Sequence, residues 1–389
     1  MTSADLELPL GIAVEAPTSE LARIEVHVPL SIIVPTYREC ENIPFVIERV
    51  ARLRAREKID VELIFMDDQS RDGSIEAVEA CGYSWVRLVE RSGKRGLSPA
   101  VIEGFAQARN PVLICMDCDL SHPPEVIPQM ILALSSGQQF VLGSRYVPGG
   151  STDDDWGFFR WLNSRVATLL ARPLTKVADP MSGFFCMRRA DFDKAENLNA
   201  IGYKIALELI VKCGFENVGE VPIQFKDRVY GESKLTLKEQ LRYIKHLRRL
   251  YLHKFANAMY LMQFLTVGAS GVLINLSVLT LLLASGFNEQ VAIAGGIAVS
   301  VVTNFLLNRR FTFSYARHGN AFKQFIGYLT ASAIGVTVNY TVSLAMLHAP
   351  LPETAQSIYV ASLSGVAAGM VFNYLGNRYL VFRRRFIEQ

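Results

Sequence analysis

The chain has 389 residues, of which half are hydrophobic and 20% are charged, and its mean hydropathy is +0.21. This length favours two or three domains, and the apolar excess excludes an intrinsically disordered chain and is unusual for a wholly soluble enzyme. The formal net charge of +3 is unevenly divided, because residues 1–257 carry −2 and residues 258–389 carry +5. The sequence therefore predicts a soluble region followed by an apolar region with basic borders.

The first 28 residues start with the acids Asp5 and Glu7 and contain no basic segment followed by an apolar run. We therefore expect a flexible leader over 1–28 and no cleavable signal peptide.

From Leu30 onward, short apolar runs alternate with amphipathic helical stretches. The predicted strands are 31–35, 61–66, 85–90, 112–116 and 140–143, and the predicted helices are 43–55, 75–80, 98–108 and 124–135. This alternation predicts an α/β domain with a mostly parallel sheet, whose ligands bind beyond the carboxyl ends of the strands. No G-x-G-x-x-G motif follows the first strand, which argues against a dinucleotide-dependent dehydrogenase.

Acidic residues follow two of these strands. Asp67 and Asp68 end the second strand, and Asp117 and Asp119 follow the fourth. Two carboxylates at positions i and i+2 can converge on one hard divalent cation, and Mg²⁺ or Mn²⁺ held in this way bridges phosphate oxygens. Ser121 or His122 would complete or orient that set of ligands.

The segment that ends the soluble region predicts a basic amphipathic helix. Apolar residues recur at helical spacing between 237 and 251, and five Lys or Arg residues lie between them on the other face. Such a helix suits the headgroup layer of a bilayer, so we expect interface helices over 235–257, with a solvated surface helix as the alternative.

Residues 258–389 contain long stretches without charged residues. Since a membrane-spanning helix needs about 20 mainly apolar residues, four spans are predicted, at 263–285, 290–308, 325–347 and 357–377. Lys and Arg residues concentrate before the first span, between the second and third, and in the tail. The positive-inside rule then places both termini and the soluble domain in the cytoplasm.

Because all six cysteines fall in that domain, we expect no disulfides, and the lone C-x-x-C of Cys115 and Cys118 is a poor zinc site.

The membrane region contains an internal repeat. Gln263-Phe264 recurs as Gln324-Phe325, 271–275 resembles 335–339, and 304–309 resembles 373–378. Each copy is a two-span hairpin, so both copies should have the same orientation. The recurring Asn and Gly residues are typical of helix packing, and a lipid-handling role for the Asn residues is the alternative.

The motifs of the soluble region resemble the family 2 glycosyltransferases of GT-A fold and, more closely, the dolichyl- or polyprenyl-phosphate mannose synthases. The segments that carry the resemblance are VPTYRECENI (34–43), DDQSRDGS (67–74), RSGKRGL (91–97), DCDLSHPPE (117–125), GSRYVPGG (143–150), DPMSGFF (179–185) and GESKL (231–235). The resemblance spans about 31–235 and implies a GT-A domain over 29–234. Residues 258–389 resemble the GtrA-like four-span domain.

The resemblance implies a role for each motif residue. For the nucleotide-sugar donor these are Pro35, Tyr37, Glu39, Asp67, Asp68, Lys94, Asp117, Cys118, Asp119 and Asp179, with Asp67 and Lys94 near its phosphates and Asp179 near the sugar or acceptor loop. For the metal they are Asp117, Asp119 and Ser121. For the lipid phosphate and the leaving diphosphate they are Arg145, Arg160, Ser164, Arg228, Ser233 and Lys234.

The implied reaction agrees with the chemistry of these side chains. A phosphate monoester is already an anion at pH 7, so it can attack the anomeric carbon without a general base, and guanidinium groups can orient it. A metal and Lys234 would stabilise the departing diphosphate. We therefore expect catalysis by Asp119, Arg145 and Lys234, with Mg²⁺ or Mn²⁺ as cofactor and inversion at the sugar.

Three alternatives remain to be compared. GDP-mannose is the favoured donor because DPMSGFF and GESKL resemble the mannose synthases, while UDP-glucose or another nucleotide sugar is possible. A processive polysaccharide synthase would carry a Q-x-x-R-W element. Arg160-Trp161 has the last two residues of that element but lacks the upstream Gln. A lipid-linked sugar flippase with an accessory soluble domain is disfavoured by the complete donor and acceptor motifs. The expected partners are the donor, dolichyl or polyprenyl phosphate and the bilayer, with no nucleic acid.

Overall fold

The computed structural model describes residues 28–152, 158–196, 198, 204–225, 237–348 and 358–383, without the side chains of 158–161, 237–238 and 358–359. The chain divides into two compact units, Met1–Leu250 and Tyr251–Gln389. The predicted leader before residue 28 and the predicted acceptor residues Arg228, Ser233 and Lys234 lie outside the described residues.

A seven-stranded sheet forms the centre of the first unit, within its described residues. Its strands are β1 (Leu30–Thr36), β2 (Val61–Asp67), β3 (Val86–Glu90), β4 (Val112–Cys115), β5 (Phe140–Ser144), β7 (Phe185–Arg188) and β8 (Val218–Pro222), in the order β3-β2-β1-β4-β7-β5-β8. Two short strands, β6 (Ser151–Thr152) and β9 (Gln224–Phe225), pair separately.

The direction of the strands defines one edge of the sheet as the ligand-binding edge. Strands β1 to β4 are parallel, β7 runs antiparallel to both β4 and β5, and β8 is parallel to β5. Every strand of the large sheet except β7 therefore ends at the same edge. The expected mostly parallel α/β sheet is confirmed.

Helices cover both faces of this sheet. They are α1 (Ile43–Glu57), α2 (Ser74–Cys81), α3 (Leu97–Gln107), α4 (Ile127–Ser135), α5 (Phe158–Ala171), α6 (Arg189–Phe192), α7 (Ile205–Lys212) and the first part of α8 (Leu237–Lys254). One apolar cluster contains Val46, Ile114 and Met130, and the other contains Ile33, Phe105 and Leu209. All five predicted strands and all four predicted helices are present, with ends that differ by up to three residues.

Helix α8 differs in detail from a simple amphipathic helix. Of its predicted apolar face, Leu247 is buried, whereas Leu241 and Ile244 are more than half exposed. Tyr243 donates a hydrogen bond to the carbonyl of Ala167 in α5 at 2.7 Å. The start of this helix is therefore fixed to α5, and two large apolar side chains remain at the surface.

The second unit is built from long helices that pair in sequence. They are α9 (Ala256–Ala284), α10 (Glu289–Leu307), α11 (Ala321–His348) and α12 (Ile358–Leu375), and π-helical turns over Asn308–Thr312 and Gly376–Val381 extend α10 and α12. Within the described residues, three helices are long and apolar enough to cross a membrane: Ala256–Ala284, Glu289–Thr312 and Ala321–His348. The fourth predicted span falls on α12, and its crossing remains a prediction.

Glycines allow the paired helices to approach closely. A Cβ atom added at Gly335 of α11 would lie 3.0 Å from the Cβ of Asn373 in α12, and one at Gly369 would lie 2.8 Å from the Cβ of Asn339 in α11. Asn304 lies in the same way against Gly271 in the other pair. The amides therefore lie against glycines of the partner helix, which supports the helix-packing interpretation.

The two repeats end in matched structures. The backbone N–H of Phe313 donates to the carbonyl of Asn308 at 2.7 Å, and that of Phe382 donates to Asn377 at 2.8 Å. The rings of Phe313 and Phe382 are fully buried and stack at 4.9 Å. The sequence repeat is therefore also a structural repeat, with an aromatic contact between its copies.

Candidate active site

Four polar segments meet at the carboxyl edge of the sheet. They follow β1 (Tyr37 to Glu39), β2 (Asp68), β4 (Asp117 to Ser121) and β5 (Arg145). Because these strands end at one edge, segments far apart in sequence become neighbours, as the strand pattern predicts.

The segment after β1 presents an aromatic ring to solvent. Tyr37 is 37% exposed, and the guanidinium carbons of Arg38 and Arg95 lie 5.4 and 5.5 Å from its ring centroid. Glu39 accepts a hydrogen bond from Asn42 at 2.6 Å. An exposed ring beside two cations can stack with a planar base that carries phosphates.

The carboxylate of Asp67 is turned into its own loop. It is 2% exposed and accepts hydrogen bonds from the backbone N–H of Ser70 at 2.8 Å, from the Ser70 hydroxyl, and from Thr36 at 3.3 Å. Asp67 therefore shapes the loop after β2. Its predicted place near the donor phosphates would be an indirect one.

Asp68 is held by a buried arginine that carries no predicted role. One oxygen of Asp68 pairs with Arg91, and the other accepts from the backbone N–H of Gly96 at 2.7 Å. The Arg91 side chain is 2% exposed and also bonds Glu103 at 2.9 Å. Arg91 thereby joins the end of β3 to α3 and to Asp68. It also bonds the carbonyl of Lys94, a residue that is itself exposed.

The D-x-D loop turns back sharply after β4. Leu120 has a φ of 62°, in the left-handed region, and Ser121 then donates to Asp119 from its hydroxyl at 2.5 Å and from its backbone at 3.2 Å. The Asp117 side chain is 28% exposed, whereas Asp119 is 5% exposed. Cys118 packs into the apolar core, and burial together with nearby carboxylates raises the pKa of its thiol well above the usual value. Its predicted donor contact can therefore involve only its backbone.

Gly183 lies close to the carboxylate of Asp117. A Cβ atom added at Gly183 would lie 3.3 and 3.4 Å from the two carboxylate oxygens of Asp117. Glycine therefore leaves open a place that any other residue would fill. Carboxylate and hydroxyl oxygens are the ligands that Mg²⁺ and Mn²⁺ prefer, so the side-chain types of Asp117, Asp119 and Ser121 suit such an ion, and their binding of one stays a prediction.

Arg145 and Asp179 form a buried bidentate pair. The guanidinium bonds the two carboxylate oxygens at 2.7 and 2.8 Å, and the Arg145 backbone N–H donates to the same carboxylate at 3.2 Å. Burial lowers the pKa of Arg145, but the bond to Asp179 outweighs it and holds the pKa above its ordinary value. Glu220 in turn accepts from the backbone N–H groups of Ala178 and Asp179 at 2.7 and 3.0 Å. Arg145 and Asp179, which have separate predicted roles, therefore form one ion pair.

Helix α5 supplies Ser164 to the same side of the site. Its hydroxyl lies 2.8 Å from the hydroxyl of Tyr146, whose ring is covered by Arg145 and Arg165 at 5.3 and 5.0 Å. Arg160 lies one turn earlier in α5, and its side chain is outside the described set.

Lys204 is a further cation that no motif marks. Its pKa is lowered to about 8, mainly by burial and then by the neighbouring Arg145, while Asp179 and Asp117 oppose the shift. Lys204 therefore belongs to the charge cluster of Arg145 and Asp179. Only the fold brings it there, because its position at the start of α7 carries no local signal.

Comparisons with known proteins give a separate match for each of the two parts of the chain. Residues 31–195 match the model of glycosyl transferase family 2, and residues 263–382 match the GtrA/DPMS transmembrane domain. A dolichol-phosphate mannosyltransferase of Pyrococcus furiosus is 34% identical over 91% of this chain and 99% of its own length. That of Mycosarcoma maydis is 46% identical over 58% of this chain and 80% of its own.

Solved structures resemble the chain more weakly. A glucosyl-3-phosphoglycerate synthase of Mycobacterium tuberculosis is 21% identical, with a TM-score of 0.46 over 64% of this chain and 88% of that one. A mannosyl-3-phosphoglycerate synthase of Rubrobacter xylanophilus is 15% identical, with a TM-score of 0.46 over 59% and 75%.

Proposed function

This chain belongs to the dolichol-phosphate mannosyltransferase family, and we propose that it transfers mannose from GDP-mannose to dolichyl or polyprenyl phosphate. It is a membrane-bound glycosyltransferase with a family 2 domain and a GtrA/DPMS transmembrane domain. The observation that carries the proposal is that the D-x-D loop and the Arg145–Asp179 pair meet at one edge of the sheet.

The donor occupies the side of the site formed after β1, β2 and β4. The nucleotide base stacks on the exposed ring of Tyr37, and Glu39 and Asp68 line the base and ribose. Asp117, Asp119 and Ser121 would hold the divalent cation, which would supply positive charge near the diphosphate. Ser121 orients Asp119 through its two hydrogen bonds.

The acceptor phosphate binds on the side of β5. Asp179 fixes the plane of the Arg145 guanidinium, so the arginine offers a preset orientation to a phosphate oxyanion. Ser164 and Lys204 extend this polar surface, with Arg160, Arg228, Ser233 and Lys234 as further sequence-based candidates. The phosphate is already ionised, so no side chain needs to remove a proton from it.

The transfer is a single displacement. A phosphate oxygen forms a bond to the anomeric carbon while the bond from that carbon to the diphosphate breaks, and the diphosphate leaves with the electron pair. Attack opposite to the leaving group inverts the sugar, so an α-linked donor gives a β-linked lipid phosphate mannose. Arg145 orients the attacking group, and Lys234 offsets the negative charge on the leaving group.

The first unit has a surface suited to the headgroup layer of a membrane. Leu169 of α5 is 69% exposed, and Leu241 and Ile244 of α8 are 59% and 56% exposed. The hydrogen bond from Tyr243 to Ala167 joins the two helices. Exposed basic residues, among them Arg165 and Lys245, lie in the same helices as these apolar side chains. We assign this surface to the cytoplasmic leaflet, where a lipid phosphate is accessible, with both chain termini in the cytoplasm.

A donor screen with purified full-length protein tests the proposal. The protein in detergent is given labelled GDP-mannose or UDP-glucose, a polyprenyl phosphate and Mn²⁺, with the matching polyprenol that lacks phosphate as control. We expect a glycolipid only from GDP-mannose and the phosphorylated lipid, with a β linkage by NMR. Equal or better use of UDP-glucose would establish the glucosyl alternative, and no glycolipid from any donor would refute the synthase.

A further inference from the structure

The ring of His122 is directed back onto the backbone of the D-x-D loop. Its Nδ1 atom accepts a hydrogen bond from the backbone N–H of Asp117 at 3.0 Å, and the same atom lies 3.8 Å from an Asp117 carboxylate oxygen. His122 is 3% exposed. A ring nitrogen that accepts a hydrogen bond carries no proton, so this hydrogen bond requires the tautomer with its proton on Nε2.

The ring is held by aromatic packing on more than one side. It stacks on Phe184 with centroids 5.3 Å apart and planes 16° apart, and it meets Phe225 edge to face at 5.9 Å. A Cβ atom added at Gly183 would lie 3.4 Å from the Cε1 atom of His122. This packing limits the rotation of the ring, so the acceptor atom has a fixed position.

The accepted hydrogen bond lies just beyond the end of β4 at Cys115. The backbone N–H of Met116 donates to the carbonyl of Ile33 in β1 at 3.1 Å, and the next backbone N–H along the chain is that of Asp117. The left-handed Leu120 turns the chain so that His122 returns to this N–H. His122 therefore fixes the backbone at the point where the carboxylate of Asp117 leaves the sheet.

We propose that His122 is a positioning residue for the metal site, acting through its Nδ1 atom as a hydrogen-bond acceptor. It holds Asp117 so that the carboxylate stays in the space beside Gly183, and it does not itself bind the ion. This inference rests on the proposed function, in which Asp117 and Asp119 hold a divalent cation. Residues that orient metal ligands typically contribute about 10- to 100-fold to metal affinity.

Three substitutions distinguish the effect of the hydrogen-bond acceptor from the effect of the aromatic ring. His122→Asn puts an amide oxygen close to the place of Nδ1, His122→Gln puts it near the place of Nε2, and His122→Phe keeps the stacked ring without an acceptor. Mn²⁺ binding to the full-length protein in detergent is measured by EPR, with and without GDP, together with the melting temperature of each variant.

We expect the Asn variant to bind Mn²⁺ close to the wild-type affinity, and the Gln and Phe variants to bind about 10- to 100-fold more weakly. In assays of transfer, the Mn²⁺ concentration for half-maximal rate should rise by the same factor in the Gln and Phe variants, while the KM for the lipid phosphate stays constant. A purely structural role would not separate these two quantities.

Two results would overturn the inference: wild-type Mn²⁺ affinity in the Phe variant, or equal loss in the Asn and Phe variants. Asp119→Asn serves as the control for the proposed function. If Asp119→Asn retained wild-type Mn²⁺ binding, the metal site itself would be misassigned. If it lost binding while His122→Phe kept it, only the role of His122 would be wrong.

Discussion

The two units bury polar side chains for different purposes. In the first unit, buried ion pairs such as Arg91–Asp68 and Arg145–Asp179 lie at the edge of the sheet where the site is formed. In the described helices of the second unit, the polar groups at the helix contacts include uncharged amides and hydroxyls, such as Asn304 against Gly271 and Ser300, which donates to the Gly271 carbonyl at 2.8 Å. A buried charge has a high desolvation cost and therefore needs an oppositely charged partner. An uncharged amide that contacts the backbone of a neighbouring helix in a membrane has a lower desolvation cost.

This difference predicts where a substitution takes effect. A change to a carboxylate that is proposed to face a ligand, such as Asp119, should alter turnover more than folding. A change to a helix contact of the second unit should alter stability more than the turnover of the folded molecules. Three substitutions, in order of decreasing effect, test this contrast, and a fourth concerns the stability of the first unit.

The largest effect is expected from Asp119→Asn. The amide keeps the size of the carboxylate but removes the charge that the cation requires, so the rate of mannosyl transfer should fall by about 10²- to 10³-fold or more. The melting temperature should stay near that of the wild type. Initial rates at saturating Mn²⁺ and thermal melting measure the two quantities. A rate near the wild-type value would refute the D-x-D assignment.

The next effect is expected from Asp179→Asn. Asparagine leaves Arg145 without its charged partner and without one of two acceptor oxygens, so kcat/KM for the lipid phosphate should fall by about 10- to 100-fold. Asp193→Asn makes the same chemical change at the surface, because the Asp193 side chain is 57% exposed and its nearest arginine nitrogen is 3.8 Å away. Equal effects of the two changes would show that the Arg145–Asp179 pair has no special role.

In the second unit, Gly369→Leu should reduce stability by about 1–3 kcal/mol, as overpacking generally does. A Cβ atom at this position would lie 2.8 Å from that of Asn339. Gly268→Leu is the control, since a Cβ atom there would meet no atom within 4 Å. Thermal melting in detergent should separate the two variants, while the rate per folded molecule stays the same. A rate loss beyond the unfolded fraction would give the helix contact a role in catalysis.

The smallest effect concerns pH and His246 of α8. Burial lowers the pKa of this imidazole, Glu208 opposes the shift, and Arg249, Lys212 and Lys204 add to it. As the pH falls below the ordinary value of 6.5, the unfolded chain takes up a proton that the folded chain resists, so the free energy of unfolding decreases. His246→Asn should give a shallower loss of melting temperature between pH 7.5 and about 5.5. Parallel profiles would assign the acid sensitivity to other groups.

Much of the fold was predictable because its signals are local. The apolar runs that became β1 to β5 and the D-x-D residues after β4 needed only spacing and the rule on the ends of parallel strands. The repeat was visible because both copies kept their Asn and Gly positions, which close helix contacts require. The motifs also identified Arg145 and Asp179 separately, although their ion pair joins residues 34 positions apart.

Other parts of the site depend on contacts that no local pattern records. Arg91 lies in a recognised segment, but its bonds to Asp68 and Glu103 follow from the packing of three elements. The orientation of Asp67 toward Ser70 depends on the path of a loop, and the pKa of Lys204 depends on charges from distant segments.

The amino-acid sequence alone predicted the first five strands and four helices in chain order, the long apolar stretches, the repeat and the acidic residues at the strand ends, because each follows from spacing along the chain. Which of those residues touch depends on the tertiary structure. Burial and charge pairing depend on the arrangement of the sheet and helices in space, so they join Arg145 to Asp179 and bring His122 onto the backbone of Asp117.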